Sequence, residues 1–221
     1  MGAWFDQAAG DYDWVNAAMS FGSGGRYRRQ ALQRVGVAAG MSLLDVGSGT
    51  GVVAAQAQAL VGPRGRVVAL DPSLGMLRQA ARRGVARRVR GFGEALPFPA
   101  ARFDRLSMGY ALRHVADLRA TFAEYRRVLR PGGVVLLLEI TPPSSPLGHR
   151  LLALYLGRLM PLLAGLGRGG RASRELMAYY WETIEQCVPP AVILEALREA
   201  GFTGSERYVE MGVFSEYRAV R

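Results

Sequence analysis

The chain has 221 residues, 50% of them hydrophobic and 21% charged, which suits one globular domain with a full core. Its single cysteine, Cys187, excludes an internal disulfide and a cysteine metal cluster, and no metal site is expected. The formal charge of +10 invites a nucleic-acid partner, but all 28 basic residues are arginine and no aromatic side chains interleave with them to stack bases, so none is expected.

Residues 1–40 read as two helices joined by Phe21-Gly22-Ser23-Gly24-Gly25, with Trp4, Phe5, Tyr12, Trp14, Met19 and Phe21 making the segment unusually aromatic. It packs on a sheet edge or closes over a ligand. Leu43-Leu44-Asp45-Val46 then ends a buried strand and runs into Gly47-Ser48-Gly49-Thr50-Gly51, followed by a helix over 51–60. Alternate glycines let the backbone approach a ligand closely, and the helix start offers it unpaired N–H groups. Asp45 can accept hydrogen bonds from a cationic amine. About twenty residues on, Arg66 to Leu70 is a second apolar strand ending in Asp71, the expected partner of a ribose diol, with Pro72 behind it. Glycine turn and distal acid together predict an adenosine-type cofactor. Gly49-Thr50-Gly51-Val52-Val53-Ala54 also fits the dinucleotide pattern, which keeps a nicotinamide oxidoreductase open.

Strands near 42–47, 66–71, 87–91, 103–109 and 133–140 alternate with helices near 51–60, 73–83 and 117–129. This rhythm predicts a doubly wound α/β fold whose ligands sit outside the carboxyl ends of the strands, where Asp45, Asp71, Phe92, Met108 and Glu139 fall. Arg82 to Arg90 reads as a solvated basic face, and Arg130-Pro131-Gly132-Gly133 as a turn between helix and strand. After Ile140 the rhythm breaks at Thr141-Pro142-Pro143. An apolar helix follows over Leu147–Leu166, bent at Pro161 and too interrupted by His149, Arg150 and Arg158 to span a bilayer. A further helix, Ser173 to Gln186, carries Tyr179, Tyr180 and Trp181. Ala191–Ala200 reads as a helix, and 207–210 and 213–220 as two antiparallel strands that bring the sheet to seven. The whole of 1–221 is one domain, with 1–40 as a helical lid and 141–188 as a helical insertion over the pocket.

Three details narrow the cofactor: an acid immediately ahead of the glycines, the alternation of Gly47, Gly49 and Gly51, and Glu94-Ala95-Leu96-Pro97-Phe98 after the third strand. Together they resemble the motifs of class I S-adenosylmethionine-dependent methyltransferases. Gly91 to Phe98, Phe103-Asp104, Leu112-Arg113-His114-Val115 and Arg127 to Gly133 resemble the UbiE/COQ5 family, as do Phe5-Asp6, Tyr12 to Asn16, Met19 to Gly22 and Tyr179 to Ile184. That family C-methylates polyprenylated quinols in menaquinone and ubiquinone biosynthesis. The resemblance implies that Asp45, Gly47 and Gly49 bind the methionine part, Asp71 the ribose, and Phe92, Gly93 and Glu94 the adenine, with Ser48, Thr50, Gly51, Pro72 and Met108 also binding the cofactor. It implies S-adenosylhomocysteine as product and a lid whose Tyr12 faces the substrate.

Carbon methylation of a hydroquinone needs its phenol deprotonated. His114 stands where the family has Asn and would titrate near neutrality, and Arg113 could stabilise a phenolate. Phe92 stands where the family has Asn or Asp, and Tyr110-Ala111 replaces Phe-Gly, which opens a specialised methyltransferase of another phenol or heterocycle, on carbon, oxygen or nitrogen. The non-enzyme alternative is a cofactor-binding protein with an interaction surface. A cytoplasmic protein is expected, peripheral at the inner membrane face if the arginines meet anionic lipid; a homodimer through the apolar insertion stays open.

Overall fold

The computed structural model describes residues 24–143, 145–162, 181–185 and 187–221. Ser42–Val46 (β1), Arg66–Asp71 (β2), Arg87–Arg90 (β3), Phe103–Gly109 (β4) and Leu129–Ile140 (β5) lie parallel, and Thr203–Glu210 (β6) and Phe214–Val220 (β7) complete a seven-stranded sheet. The order is β3-β2-β1-β4-β5-β7-β6, with β7 antiparallel to both its neighbours. β1 and β4 start neighbouring crossovers that run in opposite directions, so a crevice opens at their carboxyl ends.

Burial on both faces explains the near-continuous apolar strands. Leu43, Val53, Val67 and Ala80 form one core layer with Leu32 of Gly24–Arg34 (α1), beside Val52–Val61 (α2) and Leu74–Arg82 (α3). Leu44, Leu106 and Leu137 point the other way, against Phe122 and Tyr125 of Leu118–Val128 (α4) and Leu197 of Pro190–Glu199 (α6). Asp117 caps α4 by accepting from the Ala120 N–H at 3.0 Å.

Several expectations change in detail. Gly24 and Gly25 belong to α1 and not to a linker. Arg130 to Gly133 lies inside β5, where pairing jumps from Phe103–Leu129 to Arg105–Val134 and Gly132 takes a φ of +75°; the turn signal is spent on a bulge. The insertion helix starts at Pro146, where Ser145 accepts from the Gly148 N–H at 3.1 Å, and Pro146–Leu154 (α5) continues through a π-turn over Tyr155–Leu159. The π-turn lies just ahead of Pro161, whose missing N–H leaves the Gly157 carbonyl without its helical donor. The first N-terminal helix, Tyr179 and Tyr180 lie outside the described residues.

Gly51 joins β1 to α2 at φ +80°, and a Cβ there would stand 2.8 Å from the Ala80 Cβ and 3.0 Å from its Cα. Gly51→Ala is expected to cost about 2–4 kcal/mol, combining the left-handed backbone with overpacking against α3. Chemical denaturation of the two proteins checks it.

Candidate active site

The loop after β1 is a left-handed glycine turn, with φ of +61° at Gly47 and +53° at Gly49. A Cβ on Gly47 would lie 2.8 Å from the Ala111 Cβ, so the turn rests directly on the segment that leaves β4. The Gly49 N–H donates to Asp71 Oδ2 at 2.8 Å, and the Ser73 N–H donates to Asp71 Oδ1 at 2.9 Å. Ser73 in turn caps α3, its Oγ accepting from the Met76 N–H at 3.1 Å. One buried carboxylate therefore ties the glycine turn, the end of β2 and the start of α3 into a single unit.

Beside this unit lies a cavity of about 410 Å³, within the size range of small-molecule sites. Gly47, Gly49, Asp71 and Pro72 form one side of it; Phe92, Gly93 and Glu94 come from the loop after β3, and Met108 and His114 from the end of β4. Most of the candidate cofactor residues thus meet at one cleft. Gly93 fits because a Cβ would crowd the Tyr125 hydroxyl at 3.0 Å; that hydroxyl lies 3.7 Å from the Met108 sulfur. Phe92 stands at the mouth, 64% exposed, where its ring can cover a planar ligand.

Asp45, Ser48, Thr50 and Gly51 do not line the cavity. Asp45 is fully buried behind the turn, accepting from Ser107 Oγ at 2.6 Å, while its Oδ2 has no hydrogen-bond partner at full geometry among the described residues. Burial pushes its pKa up to about 7, against the opposing hydrogen bond from Ser107. The folded protein therefore holds this proton to higher pH than the unfolded chain, and stability falls as pH rises from about 4 to about 7. Asp45→Asn is expected to be more stable than the parent at pH 8 by on the order of 2–4 kcal/mol, and to lose that advantage near pH 4; thermal scans across pH check it.

The end of β4 separates two kinds of side chain. Tyr110 adopts φ +59°, a strained value for a non-glycine residue, held by its N–H donating to the Leu138 carbonyl at 2.7 Å. The Arg28 guanidinium lies 4.7 Å from the centre of its ring. After that kink Ala111, His114 and Val115 face the cavity, but Arg113 does not. Its guanidinium donates to Glu139 Oε1 at 2.8 Å, with 3% and 1% of the two side chains exposed. His114 also departs from expectation: desolvation, then the charge of Arg113, pushes its pKa down to about 4. A pKa this low leaves the imidazole neutral through the physiological range. Tyr12 lies outside the described residues.

The sequence pattern of the ubiE/COQ5 methyltransferase family matches residues 1–220. The chain belongs to that family. A demethylmenaquinone methyltransferase of Lactococcus lactis subsp. lactis is 34% identical over 91% of this chain and 81% of its own length. A ubiquinone/menaquinone biosynthesis C-methyltransferase, UbiE, of Hahella chejuensis is 37% identical over 73% of this chain and 68% of its own. Among solved structures, a SAM-dependent methyltransferase of Thermotoga maritima, a possible histamine N-methyltransferase, superposes with a TM-score of 0.71 at 18% identity, covering 100% of this chain and 99% of that one. That likeness places the ubiE/COQ5 chain in the Rossmann-like methyltransferase fold. Membership makes it a methyltransferase.

Sequence reasoning missed Leu70, Met76, Arg90, Ala111 and Val115 in the cavity wall. Met76 was within reach, because Pro72-Ser73 marks the start of a helix beside Asp71, and its first turn had to border the same ligand. Nothing local singles out Leu70 or Val115; they read as core.

Proposed function

We propose that this methyltransferase transfers a methyl group from S-adenosylmethionine to a ring carbon of a quinol that carries an isoprenoid tail, of the demethylmenaquinol or demethylubiquinol type. The observation that carries this reading is the full-length family match, with relatives named for those reactions. The cavity fits the donor on its own terms: an acid held by two backbone N–H groups for a ribose diol, a side-chain-free turn at Gly47 and Gly49, and apolar walls from Leu70, Met76 and Met108. Asp71 would hold the ribose, the backbone at Gly93 and Glu94 the adenine with Phe92 over it, and the glycine turn the amino-acid end.

S-adenosylmethionine supplies an electrophilic methyl group when bound. What remains for the chain is to orient the acceptor, exclude water and manage one phenolic proton. Neutral His114, at the cavity edge, would accept the quinol hydroxyl's hydrogen bond, align the ring and take up its proton as the carbon–methyl bond forms and the sulfur–methyl bond breaks, then release that proton to solvent. With a pKa near 4, it stands unprotonated and ready to accept across the physiological range. His114→Ala is expected to lower kcat by about tenfold to a hundredfold while cofactor affinity holds. The His114-dependent part of the rate should show no break between about pH 5.5 and 8.

The deciding experiment is transfer of labelled methyl from S-adenosylmethionine to chemically reduced demethylmenaquinol and demethylated ubiquinol precursors. Methylated quinol is the expected product, and the ratio of rates assigns the ring. No transfer, with the cofactor bound, overturns the quinol assignment in favour of another phenol or heterocycle.

A further inference from the structure

Helix α5 turns Leu147, Leu151 and Leu154 outward, while Leu152 packs against the core. Leu147, Leu151, Leu154, Leu159 and Leu162 are exposed by 44% to 69%, while Leu156 and Met160 reach the core. Leu147, Leu151 and Leu154 fall at helical spacing within α5 and form one ridge bordered by Arg150; Arg158, Leu159 and Leu162 are exposed beyond it, through and after the π-turn. A surface helix resting on a core ordinarily shows the opposite pattern.

Beside the ridge runs a groove of about 500 Å³ lined by His149, Arg150, Arg158 and Trp181 among others. Arg150 and Arg158 have no hydrogen-bond or ion-pair partner among the described residues, and His149 lies 3.8 Å from Glu185. From Ile140 to Arg174 the sequence has five arginines and no carboxylate. None of these side chains belongs to the cofactor cavity.

We propose that α5 docks on the surface of an anionic phospholipid bilayer, its leucine ridge entering the acyl boundary and Arg150 and Arg158 holding headgroup phosphates. Leucines alone would serve any apolar partner, and arginines alone would remain solvated. An exposed apolar ridge flanked by guanidinium groups with no partner among the described residues, and by a tryptophan, matches the layered chemistry of a bilayer interface. Arginine stems add apolar contact while their heads stay at phosphate depth. An acidic protein surface would satisfy the charges but would offer no matching trough for the ridge. The surface stands apart from the catalytic reading, since nothing in it depends on which ring is methylated.

Flotation of the full chain with phosphatidylcholine vesicles, with and without phosphatidylglycerol, tests the proposal in the absence of any methyl acceptor. Binding to the anionic vesicles is expected, at least about tenfold tighter than to neutral ones and weakening as salt rises. The Arg150→Glu/Arg158→Glu protein should lose about tenfold or more of that affinity, and Leu147→Asn/Leu151→Asn/Leu154→Asn should lose it too, with circular dichroism unchanged in both. Equal affinity for neutral and anionic vesicles, or full binding by either variant, overturns the proposal. So does a solution dimer that the leucine variant dissociates while the wild type ignores vesicles, which would assign the ridge to a second copy. Should a variant fail to fold, the charge and salt dependence of the wild type decides alone.

Discussion

Replacing Asp71 by alanine is expected to weaken binding of S-adenosylmethionine by about a hundredfold or more. The carboxylate accepts from the Gly49 N–H at 2.8 Å and from the Ser73 N–H at 2.9 Å, and it borders the cavity. A hydrogen bond to a charged group contributes about 1.5–3 kcal/mol, and each 1.4 kcal/mol is a factor of ten in affinity. Alanine removes the proposed ribose acceptor and leaves both N–H groups to water, so the glycine turn loses its anchor as well as the proposed ligand contact. Asparagine retains a single carbonyl acceptor that can serve Gly49 or Ser73, and an intermediate loss of about tenfold is expected. Calorimetric titration with S-adenosylhomocysteine measures both variants. Wild-type affinity in the alanine protein would remove this acid from the cofactor contact and, with it, the assignment of the cavity.

Arg113→Ala is expected to destabilise the fold by about 3–5 kcal/mol, the range for a buried ion pair that loses one partner. In a domain of this length that is a fall in Tm of roughly 6–20 °C. The cause is Glu139: it is 1% exposed, its Oε2 has no hydrogen bond, and burial already pushes its pKa up while Arg113 pulls it down. Without the guanidinium the carboxylate must take up a proton or stand uncompensated. Arg113→Met with Glu139→Gln removes the charges together and should recover most of the stability. Turnover by that folded double variant then separates two roles. A kcat near wild type makes Arg113 a positioning residue that holds the turn carrying His114. A loss of a hundredfold or more at unchanged stability assigns it to the phenolate.

The alternation of strands and helices was legible because β1, β2, β4 and β5 are largely buried and the helices between them are punctuated, by Ser73 and Asp117 at N-termini and by Gly62 and Gly84 beyond C-termini. The glycine turn and Asp71 were legible for the same reason: their chemistry is local, and residue type almost dictates backbone. The placement of Arg113 and Asp45 away from the cavity was not legible, because burial and a distant partner decide where an ionisable group sits. Asp45 precedes the glycines in sequence yet sits behind them in space, bonded to Ser107, 62 positions away. His114 carries an imidazole whose proton affinity is set by its surroundings, and no pattern of neighbours in sequence reports desolvation. The bulge at Gly132 was visible as a turn signal, but only pairing with β4 shows that the strand runs through it.

The antiparallel placement of β7 between β5 and β6 bears on how the protein emerges from the ribosome. β5 is made long before β7, and its outer edge, Val134 to Ile140, pairs with Phe214 to Val220 along its whole length. Until the β6–β7 hairpin has been synthesised, that edge offers unpaired backbone groups flanked by Val-Val-Leu-Leu-Leu. Such a strand is a template for intermolecular pairing. A nascent chain stalled or cleaved ahead of Thr203 would therefore be prone to aggregate even with every cavity residue already made, and holding that one edge is the task a chaperone would have to perform.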